Sequence, residues 1–239
     1  AQEGPACAAT SLPARTPRME AKADAAASTA SPPAASQSFS LWVEPPASHS
    51  ESARLRELIE AVSAKFGGPA FAPHATLLGG IRVATGAVAA EEVKQQTREL
   101  ASALKPFNLR VLKGGLDVAG TWNQTLLIFV EEADDFVQAH CAAVRAFRGA
   151  DATAPAFAPP TQRPHVSLLY SDNQAAERQA AMSWTREQAR WVDEGFSFPV
   201  EALSLWSTEG GLAGVPSWHQ VASFPLAGAV EEGKTEAAV

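Results

Sequence analysis

One hexamer occurs twice in this chain with the same grammar. Residues 73–78 read PHATLL and residues 164–169 read PHVSLL. Each copy has a proline, a histidine (His74, His165), an apolar residue, a hydroxyl residue (Thr76, Ser167) and two leucines. Side chains alternate between the faces of a strand. The histidine and hydroxyl of each copy therefore share one face, while Ala75 or Val166 takes the other. Two such strands can set two imidazoles and two hydroxyls around one pocket. A lone His-x-Thr is close to chance, but a packed core has no reason to repeat proline, imidazole and hydroxyl in register.

The elements around the hexamers repeat too. Residues 39–43 read as a strand. Residues 51–66 read as a helix, with Leu55, Leu58, Ile59, Val62 and Phe66 on one stripe. Ser48 and Glu51 have capping-box spacing, and Gly67-Gly68-Pro69 ends that helix. After the His74 strand come a helix near 88–104 and a strand at 107–112. The order then restarts with a strand at 126–130, a helix at 133–148, the Pro-rich stretch 151–163 and the His165 strand. A helix near 173–192 and strands near 197–207 and 218–226 close the domain. This is β-α-β-α-β run twice, and two related lobes facing each other across a central cleft is the natural packing.

Residues 1–37 are rich in Ala, Ser, Thr and Pro without apolar periodicity and read as a disordered tail. Residues 228–239 read as a disordered acidic tail, leaving 38–227 as the folded domain. Net charge is −7, with 46% hydrophobic and 19% charged residues. That balance suits a soluble globular protein and argues against a surface that grips long nucleic acid by neutralising phosphates. It leaves room for a small nucleotide in a local positive pocket. Two cysteines, Cys7 and Cys141, do not make a disulfide framework, and a reducing compartment fits them. No run is long enough to span a membrane. A cytoplasmic monomer is expected. An organelle is the alternative if the tail belongs to a transit sequence, although its acidic residues Glu3, Glu20 and Asp24 speak against that.

The paired hexamers resemble the two-histidine phosphoesterases. FSLWVEPP at 39–46, KFGGPAFAPHATLLGGI at 65–81, PHVSLLY at 164–170 and, more weakly, SWHQVASF at 217–224 look like the plant-type cyclic phosphodiesterases of that group. The resemblance implies a bilobal α+β fold with one motif from each lobe. It implies hydrolysis of nucleoside 2′,3′-cyclic phosphates and of ADP-ribose 1″,2″-cyclic phosphate, a by-product of tRNA splicing. By that resemblance His165 would activate water and His74 would protonate the departing 3′ oxygen, leaving a 2′-phosphate; the pseudo-symmetry of the two motifs leaves the reverse order of roles open. One imidazole can accept a proton while its twin donates one. Thr76 and Ser167 would bind the phosphate by donating to its charged oxygens. No metal or cofactor is expected, since no ligand cluster accompanies the two histidines and no Gly-rich phosphate loop is present.

Three further residues are candidates for binding substrate. Trp42 could stack on a base or pack in the core. Tyr170 would face away from His165 under strict alternation, and reaches the cleft only if the strand ends near Leu168. Arg163 could aid phosphate charge or be a solvated loop residue. His140 sits on a helix stripe and reads as structural, and His49 and His219 as surface or loop residues. Two alternatives stay open: a non-catalytic nucleotide-binding or assembly subunit, and an RNA-end phosphodiesterase or 2′-5′ ligase-like protein, which the acidic charge disfavours.

Overall fold

The computed structural model describes residues 36–149, 152 and 163–229. Most of both expected tails, and most of the stretch 151–163, lie outside the described residues. Ser36 and Gln37, assigned to the tail by sequence, begin the first strand.

Eight strands form one antiparallel sheet. They are β1 (Ser36–Val43), β2 (Ala75–Ala84), β3 (Phe107–Asp117), β4 (Leu126–Val130), β5 (His165–Leu169), β6 (Phe196–Val200), β7 (Ala202–Ser207) and β8 (His219–Pro225). Their spatial order is β6-β3-β4-β5-β2-β1-β7-β8. Helices α1 (Ser50–Phe66), α2 (Ala87–Ala103), α3 (Asp134–Arg148), α4 (Ala175–Gln188) and the short α5 (Trp191–Glu194) complete the α+β fold. The two motif strands are neighbours at the centre. Lobe one is β8-β7-β1-β2 and lobe two is β5-β4-β3-β6.

The lobes are not the two halves of the chain. β3, which ends the first β-α-β-α-β run, pairs with β4 and β6 of lobe two. β7 and β8 return to lobe one and pair on β1. The exchange covers the open edges that β1 and β4 would otherwise present, and uncovered edges invite non-native pairing. The helices cross as well: α1 packs on β5 and α3 packs on β2. At each crossing a side chain ties to backbone. His140 on α3 donates from Nδ1 to the Leu77 carbonyl at 2.7 Å, and Asn173 beyond β5 donates to the Phe66 carbonyl at 2.9 Å. His140 is structural in this sense, as its stripe suggested.

The stripe residues Leu55, Ile59 and Val62 are fully buried against the sheet. The cap of α1 differs from expectation: His49, not Ser48, precedes the helix, and its Nδ1 accepts the Glu51 amide at 3.3 Å. The helix expected over 173–192 breaks after Gln188, and α5 resumes at Trp191. Cys141 is buried on α3 and disulfide-bonded. The chain thus holds a bridge, though not a framework.

Gly68 shows how tightly the end of α1 meets the site. Its φ is 133°, which disfavours any L side chain, and a Cβ there would lie 2.2 Å from the Tyr170 carbonyl oxygen. Gly68→Ala is expected to lower stability by about 2–3 kcal/mol. A urea midpoint equal to wild type would show that this approach is not constrained.

Candidate active site

β2 and β5 meet at a single residue pair, Ala75 opposite Val166. Both side chains are fully buried in the core. In antiparallel pairing, one step either way sets His74 opposite Ser167 and Thr76 opposite His165, all four on the face away from the core. Each imidazole thus lies across from the other motif's hydroxyl, and directly opposed side chains have Cβ atoms about 4.5–5.5 Å apart. The motif residues converge as the repeat predicted, around a pseudo-twofold axis between Ala75 and Val166.

The prolines explain themselves here. Proline fixes its own φ and holds the preceding residue extended. In both copies that turns the carbonyl two residues before the histidine onto Nδ1. His74 Nδ1 donates to Ala72 O at 2.7 Å and His165 Nδ1 to Arg163 O at 2.8 Å. A carbonyl only accepts, so the hydrogen sits on Nδ1 and each neutral ring keeps its Nε2 lone pair for the cleft.

The symmetry extends to a bulge. β1 pairs Trp42 with Thr76 but Leu41 with Leu78, so Leu77 is extra. β4 pairs Leu127 with Ser167 but Leu126 with Leu169, so Leu168 is extra. A bulge shifts the alternation by one residue. The positions that then turn toward the cleft are Gly79 after the first motif and Tyr170 after the second. This is why Tyr170 reaches the site although simple alternation would turn it away. Its hydroxyl donates to His74 Nε2 at 3.3 Å and lies in hydrogen-bonding contact with Ser167. Burial pushes the phenol above its ordinary range, so it stays protonated.

The two imidazoles differ in surroundings. Trp42 stacks on His74 with centroids 3.4 Å apart and planes within 5°, and Trp206 covers Trp42 at 4.3 Å. Phe71 approaches the His74 ring edge-on. His74 is 3% exposed, and burial drives its pKa down to about 3; the Ala72 carbonyl opposes the shift and the charge of His165 adds to it. His165 occupies the less covered position, where Leu127 stands in place of Trp42. Burial lowers its pKa as well, against the Arg163 carbonyl. Both rings are neutral in the free protein near pH 7.

Two cavities flank this quartet and share Thr76, Gly79, Asn123 and Tyr170. One, about 390 Å³, opens on His74; the other, about 280 Å³, opens on His165. Thr76 is exposed at their junction, whereas Ser167 is buried and donates its hydroxyl to the Asn123 carbonyl at 3.0 Å. Trp42 is 2% exposed and offers no open face to a base. Arg163 lines the His165 cavity, with its guanidinium over Phe129 at 4.3 Å and its Nε 3.5 Å from Glu132. His49 and His219 lie away from both cavities, as expected.

Sequence reasoning did not find Asn123, Trp122 or Trp218. The first two sit on the 3-10 turn Trp122–Gln124, and Trp218 just precedes β8. Half-buried tryptophans in loops were the only available signal. Among the described residues, no group of three His, Cys, Asp or Glu could hold a metal ion, and no helix is long and apolar enough to cross a membrane.

The profile of the 2′-5′ RNA ligase superfamily matches residues 44–212, so both motifs and the strands that carry them fall inside it. The chain belongs to this superfamily, the two-histidine phosphoesterases its motifs resemble. It is 24% identical over 189 residues to a cyclic phosphodiesterase of Arabidopsis thaliana, covering 77% of this chain and 92% of that protein. Solved structures similar to it include Escherichia coli LigT in complex with NADP⁺, at 17% identity and a TM-score of 0.43, covering 81% of this chain and 99% of LigT. Another is TT0787 of Thermus thermophilus, at 18% identity and a TM-score of 0.47, covering 81% of this chain and 100% of that one.

The buried imidazole has a stability consequence. In the unfolded chain His74 titrates near 6.5, while in the folded chain it stays neutral to about pH 3. Between those values the unfolded state binds the extra proton, so its contribution is fully present above pH 6.5 and is lost as pH falls toward 3. His74→Gln is expected to lose less stability than wild type between about pH 7 and about pH 4.5. Urea titrations at both pH values test this, and equal losses would contradict it.

Proposed function

We propose that this protein hydrolyses small cyclic nucleotide phosphates: nucleoside 2′,3′-cyclic phosphates and, as the family resemblance implies, ADP-ribose 1″,2″-cyclic phosphate. The observation that carries this reading is the quartet. Two imidazoles with Nε2 toward a shared cleft, each opposite the other motif's hydroxyl, match the needs of in-line ring opening. Water attacks phosphorus opposite the bond that breaks. One imidazole takes the proton of water as the new P–O bond forms, and the other gives a proton to the departing 3′ oxygen, leaving a 2′-phosphate. Thr76 is open to donate to a non-bridging oxygen directly. Ser167 does so by rotating its hydroxyl away from the Asn123 carbonyl, and Tyr170 by turning its O–H off His74 Nε2, which frees that lone pair.

The unequal surroundings of the imidazoles support an order of roles. His74 lies under Trp42, an environment that disfavours its cation, and its Nε2 lone pair serves as a base once the Tyr170 hydroxyl turns away. His165, with less cover, is the better proton donor. This reverses the order implied by the resemblance. A bound phosphate anion between the rings raises both pKa values and helps His165 take up its proton.

Replacing either histidine by alanine is expected to lower kcat on a 2′,3′-cyclic mononucleotide by about 10²–10⁴-fold, with the double variant losing far less than the product of the singles. Near wild-type turnover in either single variant ends the acid–base proposal. A substrate with sulfur at the 3′ bridging position separates the roles, because a thiolate leaves without a proton. It is expected to rescue His165→Ala and not His74→Ala; the opposite pattern restores the order implied by the resemblance. Phosphorus NMR of the product is expected to show the 2′-phosphate.

A further inference from the structure

His74 sits at the end of a stack of rings that is tied down away from the cleft. Trp42 lies over the imidazole at 3.4 Å, and Trp206 lies over Trp42 at 4.3 Å. The register of β1 on β7 shows how the outer ring is held. Trp206 pairs opposite Ser40, and Ser204 opposite Trp42. The Trp206 backbone therefore lies on one side of Trp42 along β1, level with Ser40. Its Nε1 nevertheless donates to Glu44 Oε2 at 3.2 Å, on the other side. The indole spans Trp42 like a strap fastened at both ends, by the β7 ladder at one and by the Glu44 carboxyl at the other.

The sequence builds this fastening. Alternation puts Ser40, Trp42 and Glu44 on one face, and Pro45 holds the Glu44 backbone extended. Ser204 also hydrogen-bonds the carboxyl, and the charged groups beside it are Arg56 on α1 and Glu201 before β7. Burial pushes the carboxyl above its ordinary range, against the Ser204 and Trp206 bonds and the charge of Arg56. Ionised or protonated, a carboxyl oxygen accepts the indole N–H, so the strap does not depend on its charge. The second copy has no counterpart: Leu127 stands for Trp42, and Phe129 stands for Glu44.

We propose that Glu44 is a positioning residue for His74, holding the Trp206 indole across Trp42 so that the imidazole stays flat against its ring wall with Nε2 aimed into the cleft. The proposal rests on the reading above, in which His74 takes a proton from the attacking water. The Ala72 carbonyl ties Nδ1 but leaves the ring free to tilt about that bond. The stacked indoles remove the tilt. A base out of line with the water loses rate steeply, about 10²-fold for a displacement of about 1 Å.

Glu44→Leu removes the acceptor, and Trp206→Phe removes the donor while leaving a ring over Trp42. Each is expected to lower kcat on a 2′,3′-cyclic mononucleotide by about tenfold, with little change in KM. Glu44→Gln still accepts the N–H through its amide oxygen and is expected to recover most of that loss. The double variant Glu44→Leu with Trp206→Phe is expected to lose no more than either single, since both break one bond. The readout that a purely structural role would not move is the titration of His74, followed by NMR and assigned against His74→Gln. His165 and Tyr170 are the titratable groups beside this ring. Wild-type His74 is neutral down to about pH 3. Opening the wall to water is expected to carry it up toward its ordinary range in Glu44→Leu and Trp206→Phe, but not in Glu44→Gln. The acid limb of kcat/KM is expected to rise with it. A lowered Tm with unchanged kcat and unchanged His74 titration overturns the inference. So do additive losses in the double variant, or a Glu44→Gln variant as impaired as Glu44→Leu, which assigns the effect to charge. A wild type that turns over no cyclic nucleotide, while the His74 titration still follows the Glu44–Trp206 bond, sinks the hydrolase reading and leaves the positioning role standing.

Discussion

Everything in the cleft depends on one contact, the pairing of Ala75 with Val166. It is the single paired position between the two central strands, and it fixes which face of each motif strand looks outward. A slip of one residue would carry both imidazoles into the core and both small apolar residues into the cleft. So thin a ladder cannot hold that register alone. The crossed helices hold it: α1 lies on β5 and α3 on β2, and His140 and Asn173 bind each crossing to backbone. On the far side, Thr125 ties β4 to the end of β5 by bonds to both the amide and the carbonyl of Ser171.

Placing imidazoles at this contact sets function against stability. A buried histidine resists protonation, and His74 resists it more than His165 because Trp42, Trp206 and Phe71 surround it. The Nδ1–carbonyl bonds offset part of that and orient each ring. They also fix the tautomer, so that the nitrogen facing the cleft is the one with a lone pair. The proline before each histidine serves this bond. It has no N–H of its own to satisfy at a crowded site and it directs the preceding carbonyl onto the ring.

Much of this was legible in the residues. Alternation in PHATLL and PHVSLL placed His74, Thr76, His165 and Ser167 on one face, and the Leu55-to-Val62 stripe placed α1. What was not legible has physical causes. The exchange of β3 for β7 and β8 depends on which edge needs covering, and strand periodicity says nothing about partners. Tyr170 turned on the bulge at Leu168, a feature of pairing rather than of local sequence. Trp42 read equally as base platform or core, and only the neighbours on its faces show that it covers an imidazole. Asn123 and Arg148 lie in a turn and at a helix end with no motif around them, and only the assembled cleft brings them beside the histidines.

A symmetric frame needs an asymmetric surround to do directional chemistry. The hexamers, their prolines and their bulges repeat so closely that, alone, they would give the cleft two equivalent sides. Two positions and the outer elements break the tie. Trp42 in place of Leu127 makes His74 the more covered ring. Tyr170 in place of Gly79 puts a hydroxyl on His74 and leaves the other arm open. The outer elements then give the His74 cavity Trp122, Trp218, Arg82 and Glu209, and the His165 cavity His140, Arg148 and Arg163. Trp42 and Leu127 pair directly with the motif hydroxyls, and Tyr170 and Gly79 sit one bulge beyond them, at positions the repeat itself defines. The residues that repeat thus build the quartet, and the residues that fail to repeat make its two sides unequal.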